Sequence, residues 1–344
     1  MTQINSIPIK NIYHMLLYAW DKVWDAGLLD VAELEKCTSV KHLLTRILLN
    51  AAKSVLKRGL DRGYIENTEL LQQLRGRVNF SDSLHAISKN TLALVCNFEV
   101  FNCDVVQNQI VKSTIEMLLR SSNQDFDATL FSELELLHFR MKAITSIKLN
   151  EATFKKVQLH SNNGVYRLLL SVCLLIHRNT LVSEESGSIK FLDCIHDVKQ
   201  MHGLFENFLR NFYKLRQRDF NVRSQRLQFS DDSTGIIPEM QTDISLENSE
   251  RVIIIDAKFY QNIFQETRYG QKKIRNAHLN QLHTYLSAYE QTHNRKAEGM
   301  LIYAEGSDSV CHTEQILGYT HSYKSINLLQ EWPLIEIDLL SFLN

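Results

Sequence analysis

The run Val252-Ile253-Ile254-Ile255 constrains this chain more than any other feature. Four successive branched apolar residues cannot alternate between a wet and a dry face. They read instead as a strand buried on both sides. A sheet covered on both faces needs helices layered above and below it. The run ends in Asp256-Ala257-Lys258, where such a strand meets the surface. Side chains at i and i+2 share one face of a strand, so Asp256 and Lys258 emerge together.

A second acid stands close by. Twelve residues separate Asp243 from Asp256, and Met240–Leu246 alternates apolar with polar residues as a half-buried strand does. The stretch Glu247 to Arg251 is short enough for a hairpin connection, which sets the strand bearing Asp243 beside the one bearing Asp256. Two carboxylates and a main-chain carbonyl, that of Ala257, are hard oxygen ligands suited to magnesium. In phosphodiester hydrolysis such a metal neutralises the phosphate and lowers the pKa of a bound water. A lysine beside it, Lys258, orients the water and stabilises developing negative charge. The tripeptide alone leaves a plainer reading open, a strand end carrying a solvated ion pair.

A helix expected over His278 to Tyr289 places Gln281, Tyr285 and Ala288 on one face, at i, i+4 and i+7. Gln281 and Tyr285 either face the metal site and hold the scissile phosphate or a nearby base, or Tyr285 packs in the core and Gln281 is solvated. Upstream, Met201 to Leu215 predicts an amphipathic helix with Leu204, Phe205, Phe208, Leu209 and Phe212 on one face. Strands are expected at Asn221–Phe229 and Gly299–Tyr303. The first half predicts helices at residues 8–21, Val40–Arg58, Asp104–Leu119 and Ser132–Met141. Between them come a turn entering a strand at Leu74–Phe80 and a second strand at Leu92–Phe101. His160-Ser161-Asn162-Asn163-Gly164 is a turn cluster, followed by an apolar helix around Tyr166–Arg178 and a polar loop at Ser183–Ser188. The reading is an α+β N-terminal domain over residues 1–155, then an α/β domain over 156–344 with a central mixed sheet flanked by helices.

Lys+Arg 38 against Asp+Glu 39 excludes binding of nucleic acid through bulk charge, but not a local basic groove. Arg210, Lys214, Arg216, Arg218, Arg223 and Arg226 lie between Asn207 and Gln228 with Asp219 as the single acid there. Arg268, Lys272, Lys273 and Arg275 form a second group before the Gln281 helix. Both flank the candidate site as a phosphate-tracking groove does, with Arg216, Arg218, Arg223, Lys272 and Lys273 the leading DNA contacts. Cys37, Cys96, Cys103, Cys173, Cys194 and Cys311 include no Cys-x-x-Cys pair, so a zinc knuckle or redox motif is unsupported. His278 and His283, or His312 beside Cys311, lack metal-ligand spacing with a carboxylate, and His14 and His202 read as packing or surface residues. No Gly-x-Ser-x-Gly elbow and no phosphate-binding Gly-x-x-x-x-Gly-Lys-[Ser/Thr] loop occurs. The most apolar stretch, Leu168 to Ile176, is half the length of a membrane span, so no membrane partner and a cytoplasmic location are expected.

Asp243…Asp256-x-Lys258 followed by Gln281-x-x-x-Tyr285 resembles the PD-(D/E)xK nuclease superfamily in its RecB-like form. More closely, the chain resembles the McrC family, nuclease subunits of McrBC modification-dependent restriction systems. Matching segments run from Ile7-Pro8-Ile9-Lys10-Asn11-Ile12-Tyr13-His14-Met15-Leu16 and Leu74-Arg75-Gly76-Arg77-Val78 through Pro238-Glu239-Met240-Gln241-Thr242-Asp243-Ile244 and Asp256-Ala257-Lys258-Phe259-Tyr260 to Gln330-Glu331-Trp332-Pro333. The chain departs from the superfamily pattern at Thr242, where a proline is usual.

The resemblance implies a magnesium-dependent endonuclease with Asp243 and Asp256 on the metal and Lys258 catalytic. Glu206 is either an accessory acid on the preceding helix or a solvated position. It further implies a McrB-like hexameric AAA+ GTPase as partner, which binds the GTP, and double-stranded DNA carrying methylcytosine as substrate. The N-terminal domain would dock on the ring and stimulate its GTPase; Arg75 and Arg77 are either contacts for that role or a simple turn. An adaptor that keeps the nuclease fold and mainly activates the GTPase is the alternative, and the intact Asp243, Asp256 and Lys258 speak against it.

Overall fold

The computed structural model describes residues 7–21, 29–88, 93–121, 126–159, 164–182, 189–191, 198–228, 239–259, 263–266, 271–304 and 309–344. Tyr260, Pro238, Arg268, Cys194, the turn at 160–163 and the loop at 183–188 lie outside the described residues. The helices are α1 Ile9–Ala19, α2 Val31–Glu35, α3 Val40–Arg58, α4 Phe80–Ser88, α5 Val106–Arg120, α6 Ala128–Arg140, α7 Glu151–Lys155, α8 Gly164–Arg178, α9 Val198–Arg216, α10 Asn276–His293 and α11 Trp332–Ser341. The strands are β1 Gly63–Leu71, β2 Arg77–Val78, β3 Leu94–Asn102, β4 Thr180–Val182, β5 Ile189–Phe191, β6 Asn221–Arg223, β7 Arg226–Leu227, β8 Met240–Gln241, β9 Ile244–Glu247, β10 Val252–Lys258, β11 Phe264–Glu266, β12 Lys272–Ile274, β13 Glu298–Ala304, β14 Cys311–Ile316 and β15 Tyr319–Ile326.

The chain separates into two compact units, and the division differs from the single cut at 155/156 expected from sequence. One unit joins Met1–Leu43 to Asp193–Asn344; the other is Leu44–Leu192. The turn cluster at 160–164 reads locally as a boundary, yet α8 after it packs on α5 of the second unit. Conversely, α1 packs along α9, nearly two hundred residues downstream. Side-chain chemistry explains why. Asn11 Nδ2 donates to the Leu328 and Gln330 carbonyls, at 2.8 Å each. Glu336 Oε1 accepts from Tyr18 Oη at 2.8 Å and from Trp332 Nε1 at 2.9 Å, and Arg216 pairs with the same carboxylate. Tyr18, Phe208, Phe212 and Trp332 stack around this clasp. The segments near the two ends that carried the resemblance are therefore one packed structure.

In this unit six strands form a mixed sheet in the order β14-β15-β13-β10-β9-β6, parallel at β10–β13 and β13–β15 and antiparallel elsewhere. Strand β10 is buried along its whole length, as its unbroken apolar run requires. Its even-numbered Val252 and Ile254 pack with Leu282, Tyr285, Leu286 and Tyr289 of α10. The opposite face takes α9, whose buried Phe205 meets Phe259 at 5.8 Å between ring centroids. Helix α10 seats closely because Gly299 of β13 has no side chain: a Cβ there would stand 2.9 Å from Leu282 and Leu286.

The other unit carries a three-stranded antiparallel sheet, β1-β3-β2, beside helices α5 to α8. Strand β1 escapes sequence reading because its partly buried positions mix Gly63 and Asn67 with Ile65 and Leu71, while the large Tyr64 and Leu70 are exposed. Helix α4 turns its polar side inward. Buried Ser83 Oγ accepts from Val95 N at 2.8 Å, while Phe80, Leu84 and Ile87 face outward.

Candidate active site

The expected hairpin forms. Strands β9 and β10 pair antiparallel up to Ile255↔Ile244, and Asn248 Oδ1 closes the turn by accepting from the Glu250 and Arg251 amides. Asp243 and Asp256 are the next residues beyond that last pair, so they face each other where the ladder opens. Asp243 Oδ2 accepts from Ala257 N at 2.8 Å. A strand residue directs its N–H and C=O to the same edge, so the Ala257 carbonyl opens on the Asp243 side.

Thr242, where the superfamily pattern has proline, is buried and tied to Gln225. Its amide donates to Gln225 O at 2.9 Å and its Oγ1 accepts from Gln225 N at 3.0 Å. Proline has neither group. The departure from the pattern is thus a local anchor that presents Asp243.

Asp256 is completely buried, and neither of its carboxylate oxygens has a hydrogen-bond partner. Lys258 Nζ lies 2.7 Å from Oδ2, an ion contact by distance that lacks hydrogen-bond alignment. Burial pushes the Asp256 carboxyl up to about 7; Lys258 opposes that rise and Asp243 adds to it. Lys258, itself buried, donates to Gln281 Oε1 at 3.0 Å, and Gln281 Nε2 donates to Tyr285 Oη at 2.8 Å. Both sequence alternatives for that helix face are met in part. Tyr285 packs in the core, and Gln281 is engaged with the lysine rather than with solvent.

Glu206 on α9 is half-buried, and its carboxyl is raised by burial and then by the Asp243 charge, with Arg210 opposing. Arg210, one of the basic residues between Asn207 and Gln228, directs its Nη1 to Glu206 Oε1 at 3.1 Å and to the Asp243 carbonyl at 3.3 Å. Sequence reasoning also missed a buried contact on α10, between His278 Nδ1 and Tyr303 Oη at 3.0 Å. The i−3 spacing of His278 from Gln281 was the available signal for one half of it.

Among the described residues no group of three or more His, Cys, Asp or Glu side chains stands close enough to hold a metal. A hard cation is nevertheless compatible with Asp243, Asp256 and the Ala257 carbonyl, because Asp256 Oδ1 is buried without a partner and a carboxylate oxygen is what such an ion coordinates. Of the basic residues, Arg216 is paired with Glu336 and Arg223 with Glu247, the latter at 2.9 Å. Arg218, Lys272 and Lys273 are exposed.

In the other unit, Arg75 and Arg77 are exposed on either side of Gly76, whose φ is +66°. A Cβ on Gly76 would stand 2.4 Å from the Asn97 carbonyl, so the turn is pressed onto β3. The Arg75 guanidinium lies 4.1 Å from the Phe98 ring centroid. Glu66, Asn97, Phe98 and Glu99 join these three residues around an open cavity of about 460 Å³. Among the described residues no helix is long and apolar enough to cross a membrane.

The family of McrBC 5-methylcytosine restriction system components matches residues 10–304. The chain is 30% identical over 341 residues to the Type IV methyl-directed restriction enzyme EcoKMcrBC of Escherichia coli strain K12, covering 97% of this chain and 96% of that protein. Its fold is similar, with a TM-score of 0.54 and 15% identity, to a chain in a half-complex from a tetradecameric assembly of Thermococcus gammatolerans McrB AAA+ hexamers with bound McrC. That match covers 98% of this chain and 75% of the other.

Proposed function

The chain belongs to the family of McrBC 5-methylcytosine restriction system components, and from that premise we propose that it is the PD-(D/E)xK endonuclease subunit of a GTP-driven restriction complex. The observation that carries this reading is Asp256, a wholly buried carboxylate beside Asp243 whose Oδ1 has no partner and whose Oδ2 lies 2.7 Å from Lys258 Nζ. Burial and the neighbouring Asp243 charge raise the cost of ionising that carboxyl, Lys258 offsets only part of it, and a cation there would relieve the remainder.

Asp243, Asp256 and the Ala257 carbonyl would hold Mg2+, which would supply a water of lowered pKa and a positive charge at the scissile phosphate. The protein's own groups do the rest. Asp243 fixes the Ala257 peptide through the 2.8 Å bond to its amide. Gln281, steadied by Tyr285, aims the Lys258 ammonium at the space beside Asp256, where it orients the attacking water and stabilises the phosphorane charge. Glu206 stays close enough to Asp243 to add negative potential at the cation, and Arg210 ties it to the Asp243 backbone.

DNA would track the exposed Arg218, Lys272 and Lys273. The half-exposed Arg216 and Arg223 can exchange their carboxylates for phosphates, since surface ion pairs are worth only about 0–1 kcal/mol. Arg75 and Arg77, on a sheet that also exposes Tyr64, Leu74 and Phe101, are the contacts for a McrB-like hexameric AAA+ GTPase that binds the GTP. The substrate is double-stranded DNA carrying methylcytosine. The reading draws support from the methyl-directed restriction activity named for the 30%-identical relative.

The test is cleavage of methylated plasmid by this chain with its AAA+ partner, Mg2+ and GTP. Lys258→Ala should abolish cutting and leave GTPase stimulation intact. Uncut DNA with the wild type, despite vigorous GTP hydrolysis, would favour an adaptor role instead.

A further inference from the structure

We propose that His278 and Tyr303 are positioning residues for Lys258: their mutual hydrogen bond sets where the first turn of α10 sits on the sheet, and so where Gln281 holds the ammonium. This rests on the nuclease reading above. Tyr303 is the direct cross-strand partner of Lys258 in the parallel β10–β13 register, and paired residues project from the same face. Both side chains therefore reach towards α10. They meet it at His278 and Gln281, neighbours on one helix face at i and i+3. The two contacts are matched at 3.0 Å each, one anchoring the helix and one holding the lysine.

Gln281 cannot anchor the helix unaided. Its one bond to the sheet is to the end of the long, flexible Lys258 side chain, and its second goes to Tyr285 on the same helix. The His278–Tyr303 bond does join helix to strand, and it does so away from water, with Tyr303 fully and His278 almost fully buried. A shielded bond of this kind is not exchanged for solvent when the helix rocks. Burial first, then the charges of Lys258 and Arg275, hold the imidazole down to about 4, so it is neutral near pH 7 and places no second cation beside Lys258.

The test uses the assembled complex with its AAA+ partner, GTP, Mg2+ and methylated plasmid. Tyr303→Phe removes one oxygen from a fully buried ring, and His278→Leu removes the ring nitrogen. Each should lower kcat for cleavage about tenfold, the usual consequence of losing a supporting contact behind a reactive group. KM for DNA and GTPase stimulation should stay at wild-type values. His278→Gln, which can still hydrogen-bond the phenol, should recover most of the rate, and the double variant should be no slower than either single one.

Wild-type kcat in Tyr303→Phe would overturn the proposal while leaving the nuclease reading standing. So would a loss carried by KM, or one shared equally by GTPase stimulation. A wild-type complex no more active than Lys258→Ala would sink both together. Urea midpoints of the variants guard against misfolding, and Tyr303→Phe remains decisive if His278→Leu fails to fold.

Discussion

Asp256 should make the stability of the metal-free protein depend on pH in a way that one substitution removes. Its carboxyl is raised from an ordinary 3.8 to about 7, chiefly by burial. At about 1.4 kcal/mol per tenfold change in proton affinity, holding it ionised in the folded state costs on the order of 4 kcal/mol. The direction follows from which state ionises first. Below about pH 4 the group is protonated in folded and unfolded chains alike, and the cost is absent. As pH rises the unfolded chain releases its proton first, so the folded state loses stability until its own carboxyl ionises near pH 7. Beyond that the loss is constant.

Rather more than half of it, about 2–3 kcal/mol, falls between pH 5 and pH 8. Asp256→Asn cannot titrate. Urea unfolding in EDTA at pH 5, 6, 7 and 8 should therefore show the wild type losing about 2–3 kcal/mol relative to Asp256→Asn across that range. Mg2+ at pH 8 should return much of that loss to the wild type and little to the variant. Parallel curves for the two proteins would refute the claim that Asp256 is the strained group and, with it, the main support for a metal between Asp243 and Asp256.

Two further outcomes follow from contacts away from the site. Glu336→Leu strands the buried Tyr18 hydroxyl and Trp332 indole N–H, which should cost about 2–6 kcal/mol at roughly 1–3 kcal/mol per unsatisfied donor; a urea-unfolding loss below 1 kcal/mol would dismiss the clasp. Gly76→Ala sets a Cβ against the Asn97 carbonyl at a positive φ, so the turn must lift off β3 at a cost of about 1–3 kcal/mol. GTPase stimulation should fall while cleavage of any DNA still engaged keeps its Lys258 dependence, and a wild-type GTPase response would detach this turn from partner contact.

Several residues were legible in sequence because the patterns that reveal them are local. A run of branched apolar side chains encodes a buried strand and the shared face of Asp256 and Lys258, since the period of two is a property of the backbone, but both residues are buried rather than emerging at the surface as the sequence suggests. A four-residue link, residues 248–251, places Asp243 opposite, and the spacing of four in a helix puts Gln281 with Tyr285. Thr242, a departure from the motif, leaves the Asp243 carboxylate beside it in place.

What tertiary structure alone decided is everything that depends on register and on distant packing. No local pattern announces that α1 belongs with the C-terminal part of the chain, because the donors and acceptors of Asn11, Tyr18 and Glu336 lie more than three hundred residues apart. None distinguishes Arg216, paired with Glu336, from a cation waiting for phosphate. That Tyr303 stands beside Lys258 follows from a parallel pairing of β10 with β13, and parallel register is set by the crossover helix and its packing rather than by a turn. The residues of the candidate site were thus written along the chain. The burial that strains Asp256 and the helix seat that aims Lys258 exist only once the sheet is assembled.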